Sequence, residues 1–255
     1  MRRATHAPRH AQRRTGMTEE SRRIAVVTGI GRTGQTGEVI ARVLAETGMR
    51  IVAIARGEDE ARARADDLRA AGHDAQSFAC DLSDESEVAN LARDVAKIAG
   101  APPRIDALVN IAGGFAMSGP VADSTLDVWH TQLSINVATA YLATRAFLPM
   151  LRAAHGSIVY FSSAAALPGA SVSRMWAYAA SKSSVLALMR AVAEEERATG
   201  VRANALAPAA IRTEANLSST GDKTKYVERE DVAAAVSWLC SDASRAVSGQ
   251  VIRLG

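Results

Sequence analysis

The sequence predicts an α/β fold, in which short β-branched strands alternate with helices along one domain. Three observations carry this expectation. Ile24 to Thr28 is a short, wholly apolar run closing on a threonine, the pattern of a strand buried on both faces of a parallel sheet. The loop Gly29-Ile30-Gly31-Arg32-Thr33-Gly34-Gln35-Thr36-Gly37 follows it and leads into a helical pattern, Val39, Ile40, Val43, Leu44. A similar strand, Ser157 to Phe161, ends in Ser162-Ser163, and a loop then leads to a long helix that Tyr178 opens.

Length and composition bound the answer. The 255 residues suffice for one α/β domain with a full core. A hydrophobic content of 48% fits a globular chain, and no apolar run approaches the roughly 18 residues of a membrane span. Cys80 and Cys240 lie in different segments, match no metal-ligand spacing and have no His motif beside them. They read as reduced thiols of a cytoplasmic protein. The net charge of +3 arises in the first residues, where Arg2, Arg3, Arg9, Arg13 and Arg14 stand without an acid. The remainder has 25 basic against 27 acidic residues, a net of −2, which argues against a nucleic-acid surface. Residues 1–21 read as a disordered basic extension, with Met17 as a candidate start, and 22–255 as the folded domain.

The first strand, glycine loop and helix form a site for a pyrophosphate. Glycines let the backbone approach the anion, and the helix N-terminus supplies free N–H groups. Ile51 to Ala55 is the second strand, and its end bears on the choice of dinucleotide. A carboxylate there would accept from a ribose hydroxyl and repel a 2′-phosphate. Arg56 stands there instead, and Arg32 in the loop adds a second cation, so NADP is expected over NAD. Residues 60–71 read as an exposed helix stopped by Gly72, and 74–80 as the third strand, followed by Asp81-Leu82. Asp81 or Ser83 can cap the next helix, 84–99.

Ala107 to Asn110 is the fourth strand and continues as Ile111-Ala112-Gly113. The irregular loop 114–123 can line a substrate mouth. A helix over 126–148, closed by Pro149, carries Asn136, an amide that must be paired if buried. In the helix after Tyr178, Lys182 stacks one turn on, on the same face. A cation about 4 Å from a phenol, at an effective dielectric of ~20, favours the phenolate by up to ~4 kcal/mol. Lys182 is therefore expected to bring Tyr178 into working range for proton transfer. Ala177, Ser181, Ser184, Val185 and Leu188 form a small-residue stripe that suggests a subunit contact. Residues 201–206 are the sixth strand, leading to Pro208, Ile211 and Thr213; 214–227 read as a polar loop, and a helix from Glu230 precedes a final strand.

The glycine loop, Asn110-Ile111-Ala112-Gly113, Asn136, Ser163, Tyr178-x-x-x-Lys182 and Pro208-x-x-Ile211-x-Thr213 together resemble the short-chain dehydrogenase/reductase family, over residues 22–254. The resemblance implies a single Rossmann-type, doubly wound domain: a seven-stranded parallel sheet with helices on both faces. It implies hydride transfer between a nicotinamide cofactor and an alcohol or carbonyl substrate. Tyr178 would be the general acid/base, Ser163 a donor to the reacting oxygen, with Ser162 as second choice. Lys182 would tune Tyr178 and bind the nicotinamide ribose, and Asn136 would fix a relay water. Cofactor contacts would come from Gly29, Gly37, Asp81, Leu82, Asn110, Ala112, Gly113, Ile211 and Thr213, with Gly34 standing in for a middle glycine that Gln35 displaces. A homo-oligomer, dimer or tetramer, is expected. The alternatives are a 3-oxoacyl carrier-protein reductase, for which Arg145, Arg152 and Arg190 are candidate docking cations, and a non-catalytic NADP-binding scaffold.

Overall fold

The computed structural model describes residues 22–221 and 224–255. The basic extension, 1–21, lies outside the described residues. Strands β1 (Ile24–Thr28), β2 (Arg50–Ala55), β3 (Ala75–Ala79), β4 (Ala107–Asn110), β5 (Ser157–Phe161), β6 (Arg202–Pro208) and β7 (Val251–Leu254) form one sheet. Their order is β3-β2-β1-β4-β5-β6-β7, and every pairing is parallel. The chain reverses direction across the sheet between β1 and β4, which opens a crevice at the strands' C-terminal ends.

Alternation along the strands sends side chains to two cores. Ile24 and Val26 pack with α3 (Glu85–Ile98), α5 (Thr139–Ala154) and α6 (Trp176–Glu195) on one face. Ala25 and Val27 pack with α1 (Thr36–Glu46), α2 (Glu58–Ala70) and α8 (Arg229–Leu239) on the other. Both faces are thereby covered, as the continuous apolar strands require.

Three features differ most from expectation. The helix over 126–148 is α4 (Leu126–Leu133), a π-helical stretch (Ser134–Ala138) and then α5, which continues past Pro149 to Ala154. Pro149 has no N–H to donate to the carbonyl of Arg145, which lies at an exposed position. Met150 and Leu151 beyond it are buried, the Met150 carbonyl accepts from Ile105, and His155 ends the helix at φ 50°. Within 214–227, Glu214–Thr220 is a seventh helix, α7, because Thr213 caps it by accepting from the Asn216 N–H. The small-residue stripe is not a free surface: Ala177, Ser181 and Val185 are fully buried against the chain's own core.

Candidate active site

The crevice is built from its floor upward. Gly29 follows β1 at φ 61°, and a Cβ there would lie 2.6 Å from Ala112 Cα. The β1 and β4 ends therefore touch backbone to backbone, and Thr28 Oγ1 ties them by donating to Val109 O. Gly37 is equally constrained, since its Cβ would lie 2.5 Å from Ile30 O. The first turn of α1 has no side-chain cap, and Gln35, Thr36 and Gly37 line the crevice. Its open N–H groups fit an anion. Gly34 does not stand in for the middle glycine. Its N–H donates to Glu38 Oε2 at 2.8 Å and its carbonyl accepts from Arg229 at 2.6 Å, while Gly31, at φ 75°, faces the crevice instead.

Asn136 sits in the π stretch, 1% exposed. Its Nδ2 donates to Gly114 O at 3.0 Å and to Ser181 Oγ at 3.1 Å, and its Oδ1 accepts from Gly114 N–H at 3.1 Å. The amide thus straps the β4 exit to α6. A Cβ on Gly113 would lie 2.5 Å from Asn136 Oδ1 and 3.2 Å from Lys182 Nζ. Asn110 lies deeper: its Nδ2 donates to Thr144 Oγ1, so it ties β4 to α5.

Ser162 and Ser163 are separated by their partners. Ser162 Oγ donates to Lys182 O at 2.9 Å and is used up, whereas Ser163 faces Tyr178. Lys182 Nζ donates to Phe161 O at 3.0 Å and lies 5.9 Å from the centre of the Tyr178 ring. Burial lowers the Lys182 ammonium to about 8. Burial also lifts the Tyr178 phenol above its usual 10, partly offset by hydrogen bonding with Ser163. The expected lowering of Tyr178 by Lys182 is therefore not what the chain shows. Lys182 gives one of its N–H groups to a carbonyl, and desolvation of the phenolate dominates. Phe115 meets Tyr178 edge-on, centroids 5.0 Å apart. These residues and the glycine loop line one cleft of about 800 Å³.

A family described as enoyl-(acyl carrier protein) reductase matches residues 29–254. The chain is 33% identical to D-threitol dehydrogenase of Mycolicibacterium smegmatis, over 89% of each chain. It is 30% identical to human dehydrogenase/reductase SDR family member 4, over 94% of this chain and 90% of that one. The chain belongs to the short-chain dehydrogenase/reductase family. It is thus an oxidoreductase of the alcohol/carbonyl class. Among solved structures, gluconate 5-dehydrogenase of Burkholderia cenocepacia, in complex with NADP and tartrate, superposes with a TM-score of 0.82 at 25% identity, covering 92% of this chain and 94% of that one. A 7α-hydroxysteroid dehydrogenase complexed with NADH superposes with a TM-score of 0.83 at 26% identity, covering 94% and 96%.

Against this family's pattern, the outer residues diverge. Arg32 and Arg56 lie outside the cleft, exposed, 3.9 Å from Glu60 and from Asp81 respectively. Asp81 accepts from the Ser83 N–H and hydroxyl, which hold its carboxyl low, and Leu82 is buried. Neither Asp81 nor Ser83 caps α3; Asp84 does, accepting from Ser86 and Glu87 N–H groups. Ile211 lines the cleft, but Thr213 spends its hydroxyl as the α7 cap. Residues not singled out from sequence are Gly31, Phe115, Ser118, Asn216 and Arg253. Ser118 receives the Ala177 N–H and donates its own N–H to the carbonyl of Arg174, a non-glycine residue at φ 62°. That stitch holds the mouth loop to the start of α6. A positive φ at Arg174 has no sequence signal.

Proposed function

We propose that this chain transfers a hydride between NADP and an alcohol/carbonyl substrate, with Tyr178 as general acid/base and NAD as a weaker cofactor. One observation carries the reading: Tyr178, Ser163, Lys182 and the uncapped N-terminus of α1 share a single cleft. A nicotinamide held there supplies or accepts the hydride. The residues of the chain do the rest. Gln35, Thr36 and Gly37 would hold the pyrophosphate with backbone N–H groups. Gly113 leaves space beside Asn136 and Lys182 for close approach. A phenol raised by burial stays protonated at neutral pH, the state needed to give a proton to a developing alkoxide. Ser163 donates to the same oxygen and stabilises its charge. Asn136 holds Gly114 and Ser181 in place around Lys182.

Preference for NADP rests on Arg56, whose only ion-pair partner among the described residues, Asp81, stands at 3.9 Å. The reading carries a cytoplasmic homo-oligomer with it, and two buried free thiols, raised to about 11 and about 12, suit a reducing compartment. A carrier-protein reductase is less favoured, because Arg145 is held by Glu85 and Arg152 by Glu196. The test is equilibrium binding of NADPH and NADH to the wild type and to Arg56→Ala. A charge-assisted phosphate contact predicts about a tenfold loss for NADPH and none for NADH. Equal losses for both would remove Arg56 from cofactor choice.

A further inference from the structure

We infer that the substrate of this site is an alcohol or ketone with an apolar body and a carboxylate, and that Arg253 recognises the carboxylate; this rests on the oxidoreductase reading above. Arg253 lines the same cleft as Tyr178, from β7 at the sheet's end. In the parallel register it stands beside Ala207 of β6. The sheet order places β5, which leads to Tyr178, between the glycine loop of β1 and Arg253 on β7. Phosphate-binding groups and Arg253 are thus on opposite sides of the reacting phenol. Arg253 is on the side where a dinucleotide anchored at β1 ends and substrate begins.

The charges point the same way. Among the described residues, Arg253 and Lys182 are the two cationic side chains lining the cleft, and no Asp or Glu side chain lines it. Lys182 is buried and bonded to Phe161 O. Arg253 is exposed and has no Asp or Glu partner among the described residues. Its Nε donates to Gly255 O at 3.0 Å, and its two terminal NH₂ groups have no hydrogen-bond acceptor among the described residues. Such a fork matches a carboxylate with two parallel hydrogen bonds. Phe115, Leu167 and Met175 add apolar side chains to the lining of the same cleft.

The experiment measures NADP-dependent oxidation of medium-chain hydroxy acids and hydroxycycloalkane carboxylates, each beside its methyl ester. Wild type, Arg253→Gln and Arg253→Lys are compared. For at least one acid the wild type should exceed the matching ester about tenfold or more in kcat/KM. Arg253→Gln should erase that preference, raising KM for the acid about tenfold more than KM for the matching ester, and keep NADPH affinity. Arg253→Lys should restore part of it. Equal rates on acids and esters in the wild type would overturn the inference while leaving the redox reading intact. So would a preference that survives Arg253→Gln, or a loss of NADPH affinity in that variant. No turnover of any acid or ester would overturn the redox reading and this inference together.

Discussion

Lys182 is a cation held where a cation is unwelcome. It is 6% exposed, and Phe161 O is the hydrogen-bond acceptor that it reaches. Burial lowers its pKa from 10.5 to about 8. Between these values the unfolded chain keeps a proton that the folded chain has lost, so folding is favoured increasingly as pH rises through that window. Below about 8 both states are charged and the penalty of burying the ammonium is present in full. The wild type should therefore gain stability relative to Lys182→Met as pH is raised from 8 to 10, read as the difference between their denaturant midpoints. A difference that is flat, or that falls with pH, would contradict the assigned shift. The spacing of Tyr178 and Lys182 was legible in the sequence because a helix has one period. The direction of the Tyr178 shift was not, because it depends on desolvation, which outweighs the hydrogen bond with Ser163. The different partners of Ser162 and Ser163, Lys182 O for one and Tyr178 for the other, are likewise visible only once the fold brings them near.

At the scale of elements, the strands were readable almost to the residue where an apolar run met a glycine or asparagine, as in β1 and β4. Helix ends were less so. Pro149 reads locally as a stop, yet burial of Met150 and Leu151 carries α5 another turn. The stripe on α6 pointed to a partner because sequence shows small residues but not what covers them; α6 packs it on its own domain. The π stretch between α4 and α5 has no sequence signature. It turns Asn136 onto Gly114, and one-turn π insertions of this kind recur at functional sites. Gly113 is the tightest consequence of that arrangement. In Gly113→Ala the methyl group would strike the Asn136 amide and crowd the Lys182 amine. Thermal or denaturant unfolding should show a loss of about 1–3 kcal/mol. Turnover should fall more steeply than that loss of folded protein explains. A variant with unaltered turnover would show that the strap is not needed for the site.

Over the whole molecule, distant segments converge on one cleft at the ends of the strands. The glycine loop comes from β1, the Asn136 strap from the helix after β4, and the serine and tyrosine from the segment after β5. Arg229, at the start of α8, reaches back to Gly34 O, so nearly the last helix steadies the first loop. The seven-stranded parallel sheet with helices on both faces was expected from the family resemblance, and it holds. Gly34 was misassigned because glycine count and spacing do not reveal which N–H is already taken by Glu38. The central claim is that the Tyr178 phenol carries the reaction's proton. Its most direct test is the rate of NADPH-dependent carbonyl reduction by Tyr178→Phe, measured with NADPH affinity on the same preparation. The account predicts a fall of at least about 10²-fold in turnover, with cofactor affinity within about twofold of the wild type. Turnover close to the wild type would show that another group supplies the proton.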